Sequence, residues 1–170
     1  MDVFAAFDYT SFFNVWYWVL TVATWTQVCH RTLGVPYDMI LRAERLPGVA
    51  AEVDAVARIA AARVAAVHRA LGSVIAAAAG FVLAVLAVLG FVSGIEAALA
   101  SFLLLMPLSI VLLQTARLAL FIDRSDARGP ELRRRLARRR AWNQAIAIAA
   151  TMVAAIVALF HHPAAALLRW

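Results

Sequence analysis

From Val74 to Val92 the chain reads VIAAAAGFVLAVLAVLGFV, without one charged or hydroxyl-bearing side chain. A helix of roughly 20 such residues matches the ~30 Å hydrocarbon core of a bilayer, and a helix that is apolar all round belongs in lipid or in a large protein interior. Three further runs are long and apolar enough to span although they carry some hydroxyl and amide side chains: about Phe12 to Cys29, the most polar, Ala97 to Thr115 and Ala141 to Phe160. The first is short and aromatic, with Trp16, Tyr17, Trp18 and Trp25. Hydrophobic residues make up 65% of the chain, against roughly 45–50% in soluble domains. The expected fold is therefore all-α and membrane-embedded. One domain, residues 1–170, has four transmembrane helices (about 12–29, 74–92, 97–115 and 141–160) and two long loops (30–72 and 117–140).

Charge placement orients this bundle. All sixteen basic side chains are arginine. Arg31, Arg42, Arg45, Arg58, Arg63 and Arg69 fall in the first loop and nine more in the second, whereas the N-terminus and the Ser93–Glu96 turn carry none. Beyond the fourth span there is only Arg169. The positive-inside rule then puts both loops in the cytoplasm and both termini outside, the pattern of a multi-pass protein of a bacterial inner membrane. The acidic start MDVFAAFDYT lacks the basic flank of a secretory signal, so the first apolar segment is expected to be retained.

The loops carry helical patterns of their own. Val49, Val53, Val56, Ala60, Val64, Val67 and Leu71 recur at spacings of three and four, a stripe read as a bundle seam or as a docking face. Pro47-Gly48 marks its start, and no breaker precedes the second span, so one helix over Val49–Val92 is expected, ~65 Å long. Asp54 and Arg58 are placed to pair along it. Gly129-Pro130-Glu131 is a helix start, predicting a fourth helix from Pro130 to about Phe160. Ala76, Gly80 and Ala84, and likewise Ala150, Ala154 and Ala158, provide small faces for close helix packing in lipid. Pro107 frees a carbonyl in the third span, and with Ser109, Gln114 and Thr115 it offers the polar groups for a pore in a homo-oligomer.

The four spans hold no ionisable side chain, which argues against a proton-coupled transporter. No nucleophile–base set and no glycine-rich phosphate loop is present, so no catalytic residue and no small-molecule substrate is assigned. A single cysteine, Cys29, excludes an intramolecular disulfide. His30 and His68 share a depth near the inner headgroups, where they and Cys29 form the alternative of a haem or metal site. His161 and His162, with Asp2 and Asp8, make a weaker outer set.

The junction after the first span is the most individual segment. Gly34 and Pro36 end the helix, and Asp38 is placed to cap a short interfacial helix, Met39–Leu46, with arginines toward lipid phosphates. Trp16, Trp18, Trp25, Tyr37, Met39 and Ile40 are its candidate partner-binding residues. The pieces Ser11-Phe12, Asn14-Val15-Trp16-Tyr17-Trp18, Trp25 and Leu33-Gly34-Val35-Pro36-Tyr37-Asp38-Met39 resemble a family of small integral membrane proteins of Rhodobacter-type alphaproteobacteria, often labelled a component of the SufBCD complex. The resemblance covers roughly the first 45 residues and implies a membrane tether for an iron–sulfur assembly machine.

In ELRRRLARRR, the arginines Arg133, Arg134, Arg135, Arg138, Arg139 and Arg140 spread round the helix, unlike a nucleic-acid face, which clusters on one side. With Trp142 they read as a collar at the headgroups of anionic lipids. The expected role is a non-catalytic accessory subunit that binds other membrane subunits or itself, within a respiratory or photosynthetic complex. The topology has a direct check. Reporter fusions at Ser93 and at the C-terminus should read periplasmic, and a cytoplasmic readout at either overturns it.

Overall fold

The computed structural model describes residues 15–43, 45–125 and 127–161. In chain order they form α1 (Val15–His30), β1 (Arg31–Thr32), β2 (Val35–Pro36), α2 (Tyr37–Ala43), α3 (Pro47–Ala87), a π-turn (Val88–Val92), α4 (Glu96–Ser125) and α5 (Gly129–His161). Three helices are long and apolar enough to cross a membrane: Gly48–Val92, Glu96–Ser125 and Gly129–Phe160. The described part of α1 has sixteen residues, ~24 Å of helix. The start of the expected first span, at residues 12–14, lies outside the described residues, as do Asp2, Asp8, His162 and Arg169.

The central pair is α3 and α4, joined as a tight antiparallel hairpin at Ser93–Ile95. Gly94 takes φ +68°, the left-handed conformation that commonly ends helices, and the Ile95 N–H donates to the Leu89 carbonyl at 3.0 Å, one residue further back than the usual six-residue closure because the π-turn intervenes. Just before this turn the helices nearly touch. A Cβ built on Gly90 would stand 2.8 Å from the Leu99 Cα. Only glycine permits that approach, and the π-turn sits at the same place. At this point the extra residue of a π-turn re-aims the helix toward its partner.

α1 runs alongside α4 and antiparallel to α5. Tyr17 and Trp18 pack with Leu99, Ala100, Leu103, Val157 and Ala158 near the turn end. Trp25 is buried with Val111 and Ala147 further along. Cys29 reaches Arg140 through its carbonyl, which accepts from Nε at 3.2 Å. The small face Ala154 and Ala158 is buried here, with Ala150 half-buried. The matching face on α3 is not used: Ala76, Gly80 and Ala84 are all exposed. Within the membrane-length window of α3 only 6% is buried, against 28% in α4 and 22% in α5.

At the other end the helices continue into a packed headpiece. Its core joins Leu33, Val35, Ile40 and Ala43 to Val53, Ala57 and Ala61 of α3, Ala119 and Ile122 of α4, and Leu132 and Leu136 of α5. The extensions of α3 and α5 match expectation, but α4 differs. It runs ten residues past Thr115 to Ser125, leaving residues 126–128 as the link to α5. Ala119 and Ile122 bury on the headpiece, and that burial carries the helix onward. The seam of α3 keeps part of the expected stripe, with Val53 buried and Val49, Ala60 and Val64 packed half-buried against the headpiece core. It follows Val53, Ala57, Ala61 and Ala65, all at 0% exposure, while Val56, Val67 and Leu71 are exposed. Alanines take the centre of this seam, beside Val53, where the neighbouring helices pack closely on α3.

The junction holds a two-residue hairpin that periodicity did not suggest. Arg31 pairs with Pro36 and Thr32 with Val35, and Leu33 and Gly34 turn the chain at φ 52° and 77°. Two positive φ values mark the type I′ turn that suits paired strands. The left-handed conformation of Leu33 costs roughly 1–2 kcal/mol, offset by burying its side chain in the headpiece core. Asp38 falls inside the first turn of α2, which starts earlier than expected, at Tyr37. The exchange Gly90→Ala should lower thermal stability in detergent by ~1–3 kcal/mol. Gly80→Ala, facing open space, should leave it unchanged; equal melting points for the two variants contradict the packing described.

Candidate functional site

Polar chemistry concentrates where the spans meet the headpiece, and α5 supplies most of it. Its buried face passes through Leu132, Leu136, Arg139, Asn143, Ala147, Ala154 and Ala158. Helical spacing thus carries one arginine and one asparagine into the interior. Arg139 is only 8% exposed. Its guanidinium donates to Gln114 Oε1 and, at 2.9 Å, to the Val111 carbonyl, both on α4. Charged donors on neutral acceptors make strong hydrogen bonds, and a buried cation without them would be severely penalised.

Two neighbouring arginines also turn to protein. The Arg140 guanidinium lies 3.4 Å over the Tyr37 ring while its Nε holds the Cys29 carbonyl, so α5 is pinned to the end of α1 and the start of α2. Arg135 stacks 4.1 Å over Phe121 and pairs with Glu131 at 2.9 Å. Each cation–π contact contributes about 0.5–2 kcal/mol, depending on desolvation. Arg133 is half-buried, Arg134 and Arg138 are exposed, and Trp142 is 60% exposed. The expected collar is therefore divided: Arg139 faces inward, contrary to its expected place among phosphates, and Arg134, Arg138 and Trp142 remain exposed.

Other cross-links tie the headpiece. The Gly129 N–H, at the start of α5, donates to Asp54 Oδ2 of α3 at 2.7 Å. Asp54 thereby caps a helix distant in sequence, a bond the expected Asp54–Arg58 pairing did not include. Arg69 and Asp123 pair at 2.7 Å across α3 and α4. Both are substantially exposed, so the pair adds little stability.

The remaining candidates are scattered. Trp16 is 77% exposed, Trp18 meets Tyr17 edge-to-face at 5.3 Å, and Trp25 is buried. Tyr37 lies half-buried under Arg140, Met39 packs half-buried on the headpiece, and Ile40 is in its core. Trp25 and Ile40 thus serve the chain's own interior. His30 is exposed, Cys29 is half-buried, and the His68 ring lies against Gly72 of its own helix. Among the described residues no three His, Cys, Asp or Glu side chains come together to hold a metal ion. Pro107 lies inside a continuous α4, and the Ser109 and Thr115 hydroxyls donate to the carbonyls four residues back.

A groove opens beside this polar seam, between the β-hairpin and α3, with a volume of about 590 Å³. Thr32 and Asn143 stand in its wall, each 3% exposed. No family model, curated protein or solved structure matches this chain. Arg139→Ala leaves Gln114 Oε1 without its guanidinium donor, while the Val111 carbonyl keeps the Thr115 hydroxyl, and should destabilise the detergent-solubilised protein by ~1–3 kcal/mol. Arg134→Ala, exposed on the same helix, should fall within about 0.5 kcal/mol of the parent. Similar losses for both variants would mean that Arg139 has no special place.

Proposed function

We propose that this chain is a non-catalytic accessory subunit of a bacterial inner membrane, a four-span bundle that binds another membrane protein or a second copy of itself. The observation that carries this reading is the asymmetry between its two small-residue faces. Ala154 and Ala158 are covered within the chain, whereas Ala76, Gly80 and Ala84 are exposed and nothing lies within 4 Å of a Cβ at Gly80. In lipid, helices associate through such faces because close packing and not water exclusion holds them together. A second helix seated there would gain the backbone approach that α3 offers.

The fourth span in this reading is α1. Its contacts run from Leu99 and Ala158 to Arg140, the same depth that α4 and α5 traverse. With both arginine-rich segments on the headpiece side, the headpiece is cytoplasmic and the Gly94 turn is outside. A headpiece built from helix extensions gives such a subunit a cytoplasmic contact surface, which suits a tether as the family resemblance implies. Arg134, Arg138 and Trp142 would fix its depth among anionic headgroups.

Gentle extraction through an affinity tag, followed by mass spectrometry, is the decisive experiment. The wild type should bring along a membrane partner or run as an oligomer, and Gly80→Leu should lose that association while keeping its helical content. A monomer with nothing bound, or association indifferent to Gly80→Leu, overturns the proposal.

A further inference from the structure

We infer that the groove between the β-hairpin and α3 binds one inner-leaflet phospholipid, with an anionic phosphate and hydroxyls on its headgroup, of the phosphatidylglycerol type. This rests on the four-span reading above, which places the groove at the inner membrane surface. Its wall takes Val28 from the end of α1, Val111 and Leu112 from α4, and Asn143 from α5. All lie where the spans meet the headpiece. Leu33, Ile59 and Val64 add apolar surface, and Arg63 stands exposed in the same wall. A volume of about 590 Å³ falls within the usual ligand range of roughly 300–1,000 Å³. It accommodates a phosphoglycerol headgroup and the first methylenes, with the remaining chains in the bilayer.

Three observations select the headgroup. Thr32 Oγ1 and Asn143 Oδ1 are buried and have no hydrogen-bond partner. A buried oxygen left unmet costs about 1–3 kcal/mol, so a ligand that brings donors gains by meeting it. One turn before Asn143, the Arg139 guanidinium has only neutral acceptors, Gln114 Oε1 and the Val111 carbonyl, and its Nε has none. Arg63 stands in the groove wall and Arg139 lies one turn behind the lining residue Asn143, and among the described residues neither has a carboxylate partner. A phosphate answers the charge, and headgroup hydroxyls answer Asn143 Oδ1. Phosphocholine carries no donor for that oxygen, and an ethanolamine ammonium would add a cation beside two others. A free phosphate ion would leave the apolar walls wet.

The full-length protein, solubilised with an equimolar mixture of phosphatidylglycerol, phosphatidylethanolamine and phosphatidylcholine, tests this by native mass spectrometry. One phosphatidylglycerol should be retained in preference to the other two. Arg63→Gln, on the exposed wall, should weaken that retention about tenfold, equivalent to ~1.4 kcal/mol. Asn143→Leu should remove the headgroup preference, and Arg134→Gln should change neither. Equal retention of the three lipids, indifference to Arg63→Gln, or displacement by excess inorganic phosphate each overturns the assignment. Failure of the four-span reading would show separately, as a chain that does not float with vesicles or whose fusions report the wrong side.

Discussion

A guanidinium buried where the spans meet the headpiece is the constraint on which the rest of this structure turns. Arg139 cannot reach water without rotating α5, and it cannot stay buried without Gln114 Oε1 and the Val111 carbonyl. Its position therefore fixes the rotation of α5 and the register of α5 against α4 at once. Apolar contacts alone are poor at setting register in a membrane bundle, because one alanine or isoleucine replaces another at little cost. A charge with two directed hydrogen bonds has one arrangement. From it follow the inward turn of Leu132 and Leu136 on the headpiece side and of Ala147, Ala154 and Ala158 along the spans.

The exclusive use of arginine fits this role. Arg140 uses the flat face of its guanidinium on Tyr37 and its Nε on the Cys29 carbonyl. A lysine ammonium offers neither a plane to stack nor a second donor direction. Arg135 similarly combines a ring face with a carboxylate. Three arginines within two turns thus address α4, the end of α1 and the start of α2. The run that looks uniform in sequence is divided by helical geometry into three that hold the protein and three that lie nearer solvent or lipid.

Much of the fold was legible because hydrophobic length and turn chemistry are local. The α3–α4 hairpin, the long α3 and the start of α5 at Gly129-Pro130 all follow from breakers and uncharged runs. What escaped was set by partners distant in sequence. The α3 seam centres on Ala57, Ala61 and Ala65, beside the valine stripe, a rotation set by the elements packed against it. The Leu33-Gly34 turn depends on a headpiece core that accepts Leu33. The inward arginine had a readable signal: Leu132, Leu136, Arg139, Asn143 and Ala147 share one helical face, but an arginine in a basic run is naturally read as solvated.

Burial is distributed unevenly, and the unevenness bears on function. α4 packs against α3, α5 and α1 and is the most buried of the three membrane-length helices, at 28%, whereas the membrane-length part of α3 is only 6% buried. Its far side presents Val74, Phe81, Val85, Val88 and Val92, all exposed and all acceptable to lipid. Between that lipid-compatible side and the α4 seam lies the strip of Ala76, Gly80 and Ala84, whose small side chains offer acyl chains little to grip. A self-sufficient bundle could fill this strip with leucine at no steric cost, since nothing opposes Gly80. Keeping a helix narrow on an open side gives the lone chain no packing benefit. It gives one to a second helix approaching from outside.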